Sequence, residues 1–118
     1  MNPKDKIIFI KDWITKYVET MPKKAESLII GISGGIDSSV SSTISAMTGL
    51  KTIVLSMPIK QKSYQHDLSL KHQEWLVKNF KNIEAYTINL DELYLAFTSS
   101  LSKFDNEHGM ANSRARLR

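Results

Sequence analysis

Ser27-Leu28-Ile29-Ile30-Gly31-Ile32-Ser33-Gly34-Gly35-Ile36-Asp37-Ser38-Ser39 is the stretch on which the reading of this chain turns. Its first half is a continuous β-branched run with no polar alternation. That pattern suits a strand buried on both faces, as in a parallel sheet. Gly34 and Gly35 break the run. Residues 37–48 then place Val40, Ile44 and Met47 at helical spacing. Gly49 suits the position just past a helix end. The other face of this helix carries Ser38, Ser39, Ser41, Ser42 and Ser45, read as solvated or small-contact positions.

The same alternation extends in both directions. Upstream, residues 5–19 hold Ile7, Ile10, Ile14, Tyr17 and Val18 at helical spacing, and Pro22 follows. Downstream, residues 52–57 form a second apolar run, stopped by Pro58. Ser63 can cap a helix reaching Phe80, with Leu68, His72, Trp75, Leu76 and Phe80 inward. Residues 85–90 read as a third strand. Asp91 can cap a fourth helix with Leu93, Phe97, Leu101 and Phe104 inward. The order α-β-α-β-α-β-α predicts an α/β fold, a doubly wound parallel sheet with helices on both faces. Residues 105–109 are a polar turn, and 110–118 open a further helix. The expected domain is therefore incomplete in this chain.

A chain of 118 residues, 42% hydrophobic, holds one domain with one core. It has no cysteine, which excludes disulfides, thiolate metal sites and a thiol nucleophile. The net charge is +4, but Arg114, Arg116 and Arg118 crowd the last five residues. The basic balance is mostly one terminal cluster, so no nucleic-acid face is expected. No apolar run reaches the roughly 20 residues of a membrane span. The N-terminal apolar run, 7–10, is too short for a signal-peptide core. A cytoplasmic protein is the expectation.

The turn between the first strand and its helix carries the chemistry. In an open parallel sheet, ligands bind beyond the carboxyl ends of the strands. Two glycines permit a positive φ and close backbone approach, and successive N–H groups can then cradle an anion. The helix start adds unpaired N–H groups and the positive end of its dipole. Ser33, Ser38 and Ser39 offer hydroxyls. Asp37 stands against this, because a carboxylate repels phosphate. It makes sense with a divalent cation between the two, the usual magnesium arrangement. The alternative is that Asp37 caps the helix.

Better-known loops fit less well. Walker A needs a Gly-Lys-Ser/Thr that is absent, and the spacing of Gly31 and Gly34 fails the dinucleotide fingerprint. Gly31-Ile32-Ser33-Gly34-Gly35 matches an esterase elbow. That fold needs strands and an oxyanion loop upstream, and a later acid and histidine. Only one helix precedes this strand, and Asp105 and His108 share one short turn.

Residues 33–39 resemble the SGGxDS pyrophosphate loop of the N-type ATP pyrophosphatases, the PP-loop superfamily. Ammonia-dependent NAD synthetases, the ATP domain of GMP synthetases and tRNA-modifying ligases belong to it. Residues 111–118, Ala-Asn-Ser-Arg-Ala-Arg-Leu-Arg, are similar to the NAD synthetase segment G-N-x-x-A-R-x-R. Asn112, Ala115, Arg116 and Arg118 match, while Ala111 replaces the glycine. Residues 55–58 resemble the family's adenine-contacting edge, where a basic residue often stands at the place of Ser56.

The resemblance to NAD synthetases implies an adenine nucleotide alpha hydrolase-like fold, with residues 1–118 forming part of one ATP pyrophosphatase-type domain truncated at its C-terminus. It implies ATP-dependent amidation of deamido-NAD with ammonia, through an adenylated carboxylate, giving NAD, AMP and pyrophosphate. ATP would lie on Gly31, Ile32, Ser33, Gly34, Gly35, Ile36, Asp37, Ser38, Ser39 and Met57. Asp37 would hold Mg2+, while Asn112 and Arg116 would hold deamido-NAD. No residue is assignable as a catalytic acid or base. A homodimer is implied, since the terminal segment is interfacial in the family. The alternatives are another PP-loop ligase, GMP synthetase-like or tRNA-modifying, and a non-catalytic nucleotide-binding or dimerisation fragment. His66, His72 and His108 read as structural or solvated.

Overall fold

The computed structural model describes residues 2–59 and 63–100. Seven elements alternate along them: α1 (Pro3–Thr20), β1 (Leu28–Ile32), α2 (Ile36–Met47), β2 (Thr52–Ser56), α3 (Ser63–Asn79), β3 (Ile83–Thr87) and α4 (Asp91–Ser100). Asn2 caps α1, its Oδ1 accepting from the Asp5 N–H at 2.8 Å, and Pro3 occupies the first turn, where a missing N–H costs nothing. The strands lie in the order β1-β2-β3, all parallel. Leu28 aligns with Thr52 and Ile83, and Ile32 with Ser56 and Thr87. This register brings all three carboxyl ends to one edge.

α2 and α3 cover the same face of the sheet. Ala46 of α2 and Leu76 of α3 meet Ile32, Val54 and Ile83 in one buried cluster, with Phe80 packed against it. Val54 and Leu76 are wholly buried, each contributing roughly 1.5–3 kcal/mol by the burial of its side chain. Several polar groups taken into this layer are paired. Gln73 Nε2 donates to the Val54 and Tyr86 carbonyls, at 3.2 and 3.0 Å. Ser56 Oγ lies 2.9 Å from Ser69 Oγ, joining β2 to α3. Asn82 Nδ2 donates to the carbonyls of Ala46 and Leu50, closing the end of α2. Gly49 follows that end with φ of +79°, the left-handed turn expected of it.

The α/β class, the element order and the parallel sheet are as the sequence predicts. Several faces are not. β1 was expected to be buried on both sides, yet Ile29 is 62% exposed, on the face away from α2 and α3. The serines of α2 were expected in solvent, yet Ser42 and Ser45 are buried. Small side chains let α2 approach the sheet closely, and each hydroxyl returns its proton to the helix backbone, at Ser39 and Ser41. In α3 the inward residues are Ser69, Gln73 and Leu76, while Trp75 faces outward. In α4 Tyr94 is buried, and Leu93 and Phe97 are exposed. In α1, Ile10 and Tyr17 face outward with Phe9 and Trp13, and Val18 is buried. β3 begins at Ile83, two residues before the expected start. Its ladder does continue past Thr87, with the Ile88 N–H on the Ser56 carbonyl at 2.8 Å. Leu101, Phe104, the turn at 105–109 and the segment 110–118 lie outside the described residues. Among the described residues no helix is long and apolar enough to cross a membrane.

Candidate functional site

β1 ends where its partner β2 ends, and the chain must turn at the edge of the sheet. Gly34 makes the turn with φ of +91°, a conformation that side-chain-bearing residues rarely adopt. Gly35 returns to an extended conformation and is the N-cap of α2. Having no side chain, it cannot cap through one, so serines close the turn instead. The Gly35 carbonyl accepts from the Ser39 N–H at 3.2 Å, from Ser39 Oγ at 2.9 Å and from Ser38 Oγ at 3.3 Å. Ser38 Oγ accepts from the Ser33 N–H at 3.1 Å, and Ser33 Oγ accepts from the Gly35 N–H at 3.2 Å.

Ser33 Oγ and Ser38 Oγ also lie 3.2 Å apart, a contact in which either can be the donor, since each hydroxyl has one proton and two lone pairs. All three hydroxyls thus have partners inside the loop. The backbone offers further donors. The N–H groups of Gly34, Ile36, Asp37 and Ser38 have no protein acceptor among the described residues. Three of them open a 12-residue helix, where the dipole is positive. The arrangement can take an anion with several acceptor oxygens, such as a phosphate chain.

Asp37 is the second residue of α2 and exposed. The capping alternative fails, because the cap is Gly35 and no side chain caps this helix. Its carboxylate makes no hydrogen bond or ion pair among the described residues. An acid with no partner among the described residues, beside an anion cradle, fits a hard divalent cation shared with phosphate oxygens. Magnesium keeps most of its shell as water and substrate oxygen, so one carboxylate is enough for such a role. Among the described residues there is no group of three or more acids or histidines that would form a closed metal cage.

The other expected ATP contacts separate into two kinds. Gly31 and Met57 are brought together: a Cβ on Gly31 would meet Met57 Cε at 3.4 Å. Glycine at this position leaves room for the Met57 side chain beside the backbone of β1. Ile32 is core, 4% exposed, and can meet a ligand only through its backbone. Ile36 is 75% exposed at the mouth of the loop. Ser56 is wholly buried against Ser69 and offers nothing outward. Asn112 and Arg116 lie outside the described residues. Ser33 has no histidine partner, only Ser38 and Gly35, which removes the esterase elbow among the described residues.

One contact was missed by the sequence reading. His72 Nε2 of α3 lies 2.9 Å from Ser42 Oγ of α2, across 30 positions of sequence. Burial pushes the imidazole pKa below its usual value, and the Ser39 carbonyl opposes this by favouring the charged ring. The ring also stacks on Trp75, with centroids 5.7 Å apart. A serine-rich helix face that needs hydrogen-bond partners was the only hint available in the sequence.

The comparisons with known proteins point to one family. The model of the NAD synthase family matches residues 7–118. An NH(3)-dependent NAD(+) synthetase of Saccharolobus solfataricus is 30% identical over 111 residues, covering 93% of this chain and 38% of that protein. Among solved structures, NMN synthetase from Francisella tularensis superposes with a TM-score of 0.85 at 34% identity, covering all of this chain and 47% of that one. The NH3-dependent NAD synthetase from Campylobacter jejuni, in complex with the nitrate ion, superposes at 0.80 with 25% identity, over all of this chain and 49% of that one. The chain spans about half the length of these structures, or less of the archaeal relative. With the family match running over nearly every residue, this chain belongs to the NAD synthase family.

Proposed function

We propose that this chain is the ATP-binding part of an ammonia-dependent NAD synthetase, its residues belonging to a single ATP pyrophosphatase-type domain. The observation that carries the reading is the set of N–H groups at Gly34, Ile36, Asp37 and Ser38, with no protein acceptor among the described residues. In the reaction, a carboxylate oxygen of deamido-NAD attacks the α-phosphorus of ATP. The bond to the β-phosphate oxygen breaks and pyrophosphate leaves. Ammonia then attacks the carbonyl carbon of the adenylate, loses a proton, and AMP departs from the amide. Charge grows on the leaving pyrophosphate, and donors fixed beforehand stabilise it without reorganising. The hydroxyl network of Ser33, Ser38 and Ser39 holds those donors in place. Met57 and the backbone at Gly31 form the edge on which adenine rests. Asp37 holds Mg2+, which when bound screens the phosphate charge. Such a small-molecule enzyme works in the cytoplasm.

Incubating the full-length protein with ATP, Mg2+, ammonia and deamido-NAD should yield NAD, AMP and pyrophosphate in equal amounts. Absence of NAD would sink the reading and favour another PP-loop ligase. The superposition on an NMN synthetase supports one second reading, in which nicotinic acid mononucleotide is the acid amidated. The ATP half of the reaction is the same for both acids. Comparing kcat/KM for the two acids on the same preparation separates them.

Arg116 carries the dinucleotide in this proposal. Its planar fork can grip a phosphate or carboxylate through two parallel hydrogen bonds, which lysine cannot do. Arg116→Lys should raise KM for deamido-NAD on the order of tenfold, since a charge-assisted bond is worth about 1.5–3 kcal/mol. KM for ATP should barely move. If Arg114→Lys and Arg116→Lys both behave as the parent, the three arginines are a solvated face.

A homodimer completes the proposal. Phe9, Trp13 and Tyr17 recur every fourth residue along α1, and all are more than half exposed. Trp13 and Tyr17 stack, with centroids 5.3 Å apart. An aromatic ridge of this kind suits an isologous two-fold contact. Sedimentation of the full-length protein at micromolar concentration should show the dimer mass. A monomer there removes this part of the proposal.

A further inference from the structure

We infer that His72 is a positioning residue for the loop at 33–39, acting from α3 through Ser42 and Ser39. Ser42 is wholly buried, with the Ser39 carbonyl 3.1 Å and His72 Nε2 2.9 Å from its hydroxyl. With its single proton on the carbonyl, its lone pairs accept from His72 Nε2–H. From Ser39 the connection runs directly into the cradle. The N–H and Oγ of Ser39 both hold the Gly35 carbonyl, at 3.2 and 2.9 Å, and the Gly35 N–H holds Ser33 Oγ. The chain of bonds thus reaches from a side chain on α3 to the turn that orients the four backbone donors.

The placement gives His72 an effect that a simple packing residue lacks. It joins α2 and α3 by a side-chain hydrogen bond. It also borders a groove of about 350 Å³ between α1, α2 and α3, whose other walls include Ile7, Val40, Met47 and Trp75. Stacking on Trp75 keeps the ring plane oriented toward Ser42.

The inference rests on the reading that the loop binds ATP, and the test separates the two. The full-length protein is compared with His72→Phe, which keeps a ring against Trp75 but loses the donor, and with Ser42→Ala, which loses the acceptor. His72→Gln retains an N–H donor. Amide exchange over residues 33–39 is measured without ligand, and KM for ATP and for deamido-NAD separately. In His72→Phe and Ser42→Ala, exchange over 33–39 should quicken relative to the strands. KM for ATP should rise roughly three- to tenfold, the range set by one neutral hydrogen bond. KM for deamido-NAD should hold, and His72→Gln should recover much of both effects. Unchanged exchange at 33–39, or a rise spread evenly over the sheet, overturns the role of His72 whatever the ligand. Faster exchange at 33–39 in a protein that does not use ATP leaves the linkage standing and refutes the ATP reading instead.

Discussion

Asp37→Ala in the full-length enzyme is expected to lower magnesium-dependent turnover on the order of 100-fold or more, the scale seen when one preorganised electrostatic group is removed from a reacting centre. The fold should persist. Asp37 is exposed, does not cap α2, and makes no hydrogen bond or ion pair among the described residues. What it gives the folded state is its charge near a helix N-terminus, worth about 0.3–1 kcal/mol. The melting temperature should therefore fall by no more than a few degrees. Asp37→Asn should resemble Asp37→Ala in turnover, because a neutral amide is a poor partner for a hard dication. Raising magnesium should restore part of the lost rate if the carboxylate holds the ion. Turnover equal to the parent's, with only a lower melting temperature, would reduce Asp37 to a dipole contact.

The second large effect belongs to Gly34. Its φ of +91° is shared in kind by Gly49, at +79°. A side chain at either position strains the backbone by about 1–2 kcal/mol, so Gly34→Ala and Gly49→Ala should lose similar stability. Gly49 has open space around it, with nothing within 4 Å of an added Cβ, and lies at the far end of α2 from the loop. The two variants should differ sharply in function. At Gly34 the backbone can relax only by turning the peptide that carries donors of the cradle. ATP turnover in Gly34→Ala should then fall about 100-fold or more, as for a lost oxyanion-type donor. Gly49→Ala should keep the parental rate when corrected for folded fraction. Denaturant titration together with steady-state kinetics on both variants provides the comparison. Equal catalytic losses in the two would show that stability, not loop geometry, limits the enzyme.

Much of this site could be read from residues alone, because its signals are local. A β-branched run, a glycine pair and an acid at the start of a serine-rich helix lie within 13 consecutive positions. Strand, turn and helix each follow from backbone preferences that do not need a distant partner. Proline and glycine likewise marked where α1, α2 and β2 end. The open backbone N–H groups lie at this turn, and the serines beside them are bonded to one another and to the loop backbone. Those bonds depend on distances within the loop, which no residue pattern specifies.

Faces and long-range partners needed the folded chain. Helical spacing on α3 fits the set Leu68, His72, Trp75 and Leu76, and equally Ser69, Gln73, Leu76 and Phe80. The second set faces the sheet because its small and amide side chains can approach β2 and find Ser56 and the strand carbonyls there. Ser42 and Ser45 are buried for a similar reason: hydroxyls can enter a core once the helix backbone and an imidazole 30 residues away accept or supply their protons. Local periodicity states that a helix has two faces. Which face loses its water is settled by the shape and hydrogen-bonding capacity of what lies opposite, and that neighbour is brought there only by the fold.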